Sequence, residues 1–339
     1  MHVIHKRNVN YAYETGAQLI RDHGLLTTTR AGDAYVVPFP VTTVYDNPCE
    51  RVLWDENRDA NPFFHFFEAL WILNGQCDVA TLAFFNKRMA DYSDDGVTFH
   101  APYGYRLRET GINDQIKLAV GLLQQNPLNR QVMLQIWDQN KDLGASKKDI
   151  PCNDMIKLRI VDGKLDLMVF CRSNDMIWGA YGANVVQFST LQEYIAGCVG
   201  VPVGKYYQIS CDFHAYTAVF EKNAPPGYKM PFDLYSLNVA TPFSMFTGLP
   251  DDGISDYRMI AFDGALDSIM RQVLRAADGQ SIDYGETGIP YFDHAAFPLL
   301  LAWCAWKRND VQRAIEYADK CHATDWAMAC KRWLLRRLK

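Results

Sequence analysis

The sequence predicts an α+β fold followed by a helical C-terminal region, on three observations. Residues 155–161 (MIKLRIV) and 164–171 (KLDLMVFC) largely alternate apolar and polar side chains on either side of Asp162-Gly163. That pair is a strong hairpin signal, because a type I′ turn needs positive φ at both central positions. Residues 8–24 and 62–75 carry helical patterns, the first closed by Gly24, the second opened by Pro62 and closed by Gly75. From about residue 256 helical patterns take over, at 258–276, 295–306, 309–320 and 325–338. The expected organisation is one domain over residues 1–255 and a helical extension over 256–339.

The other elements follow in order. A polar loop at 27–33 leads to an apolar run at 34–45, which Pro38 and Pro40 mark as an edge or interrupted strand. A further helix is expected at 78–90, a loop at 91–96 and a turn at 101–106. Asp114 caps a helix over 114–125 that stops at Asn126-Pro127. A strand at 132–137 and a polar loop at 140–149 precede the hairpin. After it come a Gly-rich turn at 178–184, a buried helix at 185–199 and a strand at 205–212 that residues 212–216 close. Residues 222–255, rich in Pro, Gly and Asp, read as loop with short elements.

Composition narrows the function classes. Apolar residues make up 49% of the 339, charged residues 22% and aromatics 13%, as in a folded protein with a large core. The net charge of −5 and the lack of a long basic run argue against a dedicated nucleic-acid binder. Nine scattered cysteines without CxxC spacing read as reduced thiols, not as disulfides or a zinc site. No apolar run reaches the roughly eighteen residues of a membrane span, and the N-terminus shows no targeting pattern. A cytoplasmic location is the expectation.

Candidate functional residues gather around Pro151-Cys152-Asn153, between the polar loop and the hairpin. A lone cysteine is more often a small buried hydrophobe than a nucleophile, but nearby arginines would favour its thiolate. Arg172 follows one strand and Arg130 precedes another, where a guanidinium can hold a phosphate bidentately. Each taken singly also fits a surface ion pair. Glu68 lies between Phe67 and Ala69 in the most hydrophobic helix, where a charge is costly without a partner or a proton-transfer role. His214 and Tyr216, two apart on an extended segment, share a face and could bind hydroxyls. Asn184 offers a donor and an acceptor together, for a cap or for a base edge.

Together the motifs resemble the thymidylate synthase superfamily, which includes the pyrimidine nucleotide hydroxymethylases. They are Phe67 through Gly75, Pro102-Tyr103-Gly104, Asn129-Arg130, Pro151-Cys152, Cys171-Arg172-Ser173-Asn174-Asp175, Gly179 through Asn184, and Asp212 through Tyr216, in family order. The resemblance implies a sandwich on a twisted, mixed six-stranded sheet, two such sheets packing back to back in a homodimer. It implies one-carbon transfer from 5,10-methylenetetrahydrofolate to C5 of a pyrimidine nucleoside 5′-monophosphate, without a metal. Cys152, Glu68, Asp175 and Tyr103 would be catalytic, with Cys152 attacking C6. Arg30, Arg172, Ser173 and, from the partner subunit, Arg130 would hold the phosphate. Asn184 would read the base, His214 and Tyr216 the 3′-hydroxyl, and Asp175 and Trp71 would meet the folate.

Four departures from the family pattern matter, and the last two bear on the product. Asn153 stands where a histidine is usual, and Gln131 replaces a second phosphate-binding arginine. Met89 and Tyr92 lie about where two tryptophans flank the folate, and a basic helix replaces the short closing tail. If water reaches the C5 methylene it adds there, and the product is 5-hydroxymethyl; if water is excluded, hydride reduces it to methyl. The weakened shield and missing tail favour 5-hydroxymethylation, and Asn184 suits the uracil of dUMP, with thymidylate synthesis and dCMP or CMP hydroxymethylation as alternatives. One extra residue between Arg172 and Asn184, relative to synthase spacing, keeps the cytosine nucleotides open. A Cys152-His214-Asp212 hydrolase is the alternative of a different class. A viral source would place the enzyme in the host cytoplasm.

Overall fold

The computed structural model describes residues 1–29, 31–110, 113–249, 255–283 and 285–338. Its strands are β1 (His2–Lys6), β2 (Leu25–Thr29), β3 (Gly32–Val36), β4 (Val41–Tyr45), β5 (Met133–Gln135), β6 (Asn153–Val161), β7 (Lys164–Cys171), β8 (Asn174–Asp175), β9 (Val203–Ser210) and β10 (Phe213–Tyr216). Its α-helices are α1 (Val9–His23), α2 (Pro62–Leu73), α3 (Val79–Phe85), α4 (Tyr103–Arg108), α5 (Gln115–Gln125), α6 (Gln139–Asp142), α7 (Asn184–Val199), α8 (Thr217–Asn223), α9 (Ser255–Ala277), α10 (Phe297–Lys307), α11 (Val311–Ala318) and α12 (Thr324–Leu335). The class is α+β.

A mixed six-stranded sheet, in the order β1-β4-β9-β7-β6-β5, carries the central hairpin. The β1–β4 and β7–β9 pairs are parallel and the others antiparallel. Asp162 and Gly163 turn the hairpin with φ of 49° and 72°, the positive values its turn type requires. At the open end the ladder steps from Met155↔Phe170 to Asn153↔Cys171, so Asp154 is a bulged residue beside Cys152. The Asp154 carbonyl accepts from the Ile136 and Trp137 N–H groups, both at 2.9 Å, which pins the preceding segment to the bulge.

A second sheet, β2-β3-β10-β8, corrects the expectation that residues 212–216 merely close the previous strand. The apolar run at 34–45 is indeed interrupted at its prolines, but its halves serve different sheets. β4 lies inside the large sheet between β1 and β9, not at an edge. Residues 101–106 are no simple turn, since α4 starts at Tyr103. Gly104 permits this, because a β-carbon there would collide with the Ile72 carbonyl of α2. The loop at 140–149 begins in the single turn α6, capped by Asp138. The helix expected at 78–90 breaks at Asn86 into α3 and a 3₁₀ turn, Lys87–Tyr92.

The Gly-rich segment is also helical. Met176–Ala183 forms a π-helix that runs into α7, with Gly182 alone leaving helical geometry at φ −111°, ψ −107°. A π-turn holds one residue more than an α-turn over the same span. It therefore absorbs the extra residue that the spacing revealed.

Every residue of α2 is buried, and α7 is buried along nearly its whole length against α2, β7 and β9. The C-terminal helices join this core. Phe63 packs on Trp303 and Trp333, and Phe66 on Tyr291 and Trp326. Truncating Phe63 to alanine would cost about 3–5 kcal/mol at such a site. Among the described residues no helix is long and apolar enough to cross a membrane.

Candidate active site

Cys152, Arg172, Ser173, His214, Tyr216 and Tyr103 line one cleft of about 960 Å³. The hairpin explains the first pair. Its ends meet where the Arg172 N–H donates to the Cys152 carbonyl at 2.9 Å, so the two side chains emerge together. The Arg172 Nη2 lies 3.8 Å from the Cys152 Sγ. Its Nε donates to the Pro151 carbonyl at 2.8 Å and Nη2 to the Ile150 carbonyl at 3.2 Å. The guanidinium also faces the Trp137 ring at 5.8 Å. A cation held this close favours the thiolate over the thiol.

His214 and Tyr216 come from β10, their rings edge-on at 5.4 Å. The His214 Nδ1 lies 3.1 Å from the Asp212 backbone carbonyl. A carbonyl only accepts, so Nδ1 carries the hydrogen and the neutral ring presents Nε2 as an acceptor. A hydrolase triad would instead orient the ring through the Asp212 carboxylate. The backbone does that here, which removes the basis of the hydrolase alternative.

A side cavity of about 130 Å³ adjoins the cleft, and Tyr103 and Asp149 line both. Glu68, Trp71, Met89 and Gln187 are among its walls. Burial pushes the Glu68 carboxyl up to about 7, with a hydrogen bond from Gln187 pulling the other way. Its Oε2 is buried without a hydrogen-bond partner among the described residues. A carboxyl in that state gives and takes protons near neutral pH. Trp71 is fixed by its Nε1–H donating to Asp78 at 3.1 Å. Tyr103 accepts from the Asn153 amide at 3.0 Å and stacks on Phe188.

Asn184 and Asp175 mark the two ends of the π-helix. Asp175 caps it, Oδ1 accepting from the Trp178 N–H at 2.6 Å, while Oδ2 is buried and unpartnered among the described residues. Burial raises its carboxyl above the ordinary value. β8 pairs with β10 so that Asp175 lies opposite His214. The Asn184 amide donates to Asn174 Oδ1 at 3.2 Å, and Asn174 donates to Ser210 Oγ at 3.0 Å. Gly179 makes room for this relay, since a β-carbon there would come within 2.7 Å of Asn174 Oδ1.

The family model for thymidylate synthase matches residues 11–259. The chain belongs to the thymidylate synthase family. The deoxyuridylate hydroxymethyltransferase of Pseudomonas phage M6 is 38% identical over 351 residues, 99% of this chain and 95% of that protein. A protein of the same name from Bacillus phage SP01 is 42% identical over 188 residues, 52% of this chain and 49% of its own. The crystal structure of thymidylate synthase from T4 phage overlaps with a TM-score of 0.49 and 19% identity, over 60% of this chain and 76% of that one. Membership in the family implies a nucleotide and a folate as substrates.

Not all of the expected site residues of this thymidylate synthase-family chain line the cleft: Glu68 and Trp71 line the side cavity instead, and Asp175 and Asn184 line neither, lying at the two ends of the π-helix. Arg30 lies outside the described residues. Arg130 is exposed after α5, its carbonyl accepting from Lys157, and it does not line the cleft of its own chain. Asn174, Ser210, Asp149 and Gln187 were missed as site residues. Asn174 alone had a signal, inside the motif Cys171 through Asp175.

Proposed function

We propose that the chain transfers a one-carbon unit to C5 of dUMP and delivers 5-hydroxymethyl-dUMP. The observation that carries this is the similarity over 99% of the chain, C-terminal helices included, to a protein named deoxyuridylate hydroxymethyltransferase. 5,10-Methylenetetrahydrofolate, when bound, supplies the one-carbon unit. The buried Asp175 Oδ2, unpartnered among the described residues, fits the N–H donors of its pterin, and Trp71 on the cavity wall fits its ring.

Cys152, as thiolate, adds to C6 and makes C5 a nucleophile. Asn184 stabilises the charge that develops at O4, and Tyr103 lies between the nucleophile's cleft and the Glu68 cavity. Arg172 and Ser173 hold the 5′-phosphate together with Arg30, and Arg130 reaches it from the partner subunit. His214 accepts from the 3′-hydroxyl beside Tyr216. Once the carbon is on C5, that centre would lose its proton as the carbon's bond to the folate nitrogen breaks, releasing tetrahydrofolate and leaving an exocyclic methylene. Water adds to the methylene carbon, giving its proton to Glu68. The resulting enolate re-forms the C5–C6 double bond by expelling the Cys152 thiolate. The Glu68 cavity, at about 130 Å³, has room for several waters at roughly 30 Å³ each. Met89 on its wall is a narrower shield than a tryptophan.

The homodimer has support of its own. Met155, Met168, Phe170, Tyr207 and Ile209 share the half-buried face of the large sheet, opposite the helices. Such a face fits a second copy of the same sheet. Activity on free nucleotides places the enzyme in the cytoplasm, that of a bacterial host for a phage-encoded chain.

Mass spectrometry of the products from dUMP, dCMP and CMP, with absorbance followed at the dihydrofolate band, tests the function. The expected result is 5-hydroxymethyl-dUMP without dihydrofolate. Thymidylate formed with equimolar dihydrofolate overturns it, and preferential turnover of dCMP or CMP overturns the base assignment.

A further inference from the structure

The loop between Asp55 and Asn61 is gripped from two sides. Outside, three arginines in and just beyond α12 converge on it. Arg332 donates to Glu56 at 2.5 Å, Arg336 to Asp59 at 2.9 Å and Arg337 to Asp59 at 2.7 Å. Exposed pairs are individually weak, but Asp59 receives both guanidinium groups through several bonds. Asp59 also has a φ of 42°, a left-handed conformation that an aspartate keeps only where its surroundings fix it.

Inside, Arg58 turns away from the solvent toward the π-helix. Its Nε donates to the Ile177 carbonyl at 3.0 Å, and its Nη2 would lie 3.5 Å from a β-carbon on Gly182. Ile177 is two residues from Asp175, and Gly182 two from Asn184, so Arg58 braces the π-helix across its kink. Asp175 and Asp55 lie close enough to compensate its charge, against the burial that opposes it. A π-turn is less stable than the α-turn it replaces and needs such outside support.

We propose that Arg58 is a positioning residue for folate. The α12 arginines hold its loop through Glu56 and Asp59, and its contact with Ile177 sets the Asp175 carboxylate at the angle the pterin requires. This rests on the reading that Asp175 meets the pterin. Without Arg58 the π-helix is free to relax and swing its cap. The nucleotide contacts of Arg172, Ser173, His214 and Tyr216 sit on other elements, and Asn184 is held separately through Asn174 and Ser210, so they stay in place.

Steady-state KM values for methylenetetrahydrofolate and for dUMP, with melting temperatures, test the proposal on Arg58→Met, Arg58→Lys, Arg336→Gln/Arg337→Gln and Asp175→Asn. Arg58→Met is expected to raise the folate KM about tenfold or more with the dUMP KM within about twofold. The exposed double variant is expected to shift the same KM by a smaller factor, and Arg58→Lys to recover part of the loss. If Arg58→Met does not fold, the double variant carries the test. Parallel rises in both KM values, or a lower melting temperature with neither KM changed, overturn the proposal. A folate effect of Arg58→Met without one in the double variant overturns the clamp. An unchanged folate KM in Asp175→Asn overturns the underlying assignment of Asp175 instead.

Discussion

The Arg172 guanidinium sits 3.8 Å from the Cys152 sulfur, locked there by carbonyls of the two residues preceding the cysteine. It thus faces the nucleophile and the expected phosphate position with one planar group. Arg172→Lys keeps the charge but loses the fork. Its KM for dUMP should rise by one to two orders of magnitude, about 1–3 kcal/mol, while alkylation of Cys152 by iodoacetamide at neutral pH stays near the wild-type rate. Arg172→Met should slow the alkylation as well. A lysine variant with unchanged KM would mean that Arg172 serves the thiol alone.

Glu68 predicts a pH signature. Its carboxyl sits at about 7 in the folded chain against an ordinary 4.5, so folding takes up a proton between those values. The stability it contributes is complete below about 4.5 and is lost as pH rises through 7, on the order of 3 kcal/mol. Glu68→Gln removes that dependence. Its melting temperature should gain on the wild type from pH 5 to pH 8, while kcat falls by about 10²–10⁴. A constant difference in melting temperature across that range would show that Glu68 is ionised throughout.

Asn184→Asp replaces a donor-acceptor pair by acceptors alone. Preference between dUMP and dCMP should move toward dCMP by at least tenfold, about 1.4 kcal/mol in kcat/KM. An unchanged ratio in competition assays would mean that Asn184 does not touch the base.

The assignment of Arg130 to the neighbouring subunit predicts complementation. Arg130→Ala and Cys152→Ser should each be nearly inactive alone, and unfolding and refolding the two together should restore turnover. A hybrid dimer would join an intact cysteine to an intact arginine from the other chain. Phe170→Glu, on the half-buried sheet face, should yield monomers in sedimentation and lose activity with them. Complementation failing while Phe170→Glu stays dimeric would place Arg130 outside the phosphate site.

Much of this was legible because it is local. The Asp-Gly turn fixes a hairpin whose register alone brings Cys152 beside Arg172, and the apolar run around Glu68 announces a buried helix. The second sheet was not legible. Its strands are two to five residues long and come from three distant segments, so none carries a periodicity of its own. The π-helix hid for a related reason, since one surplus residue reads equally well as a loop. Gln187 and Ser210 carry no local mark at all. They matter only through side chains that tertiary packing places next to them.

The relay from Asn184 through Asn174 ends on the Ser210 hydroxyl, and a hydroxyl rotates to give or to accept. Had it ended on a backbone carbonyl, the polarity of every amide along it would be dictated by the sheet. As built, the Asn174 amide can turn over, with the hydroxyl following, if the residue at 184 changes from donor to acceptor. On the proposed reading of the base by Asn184, uracil and cytosine specificity would lie one substitution apart on the same backbone.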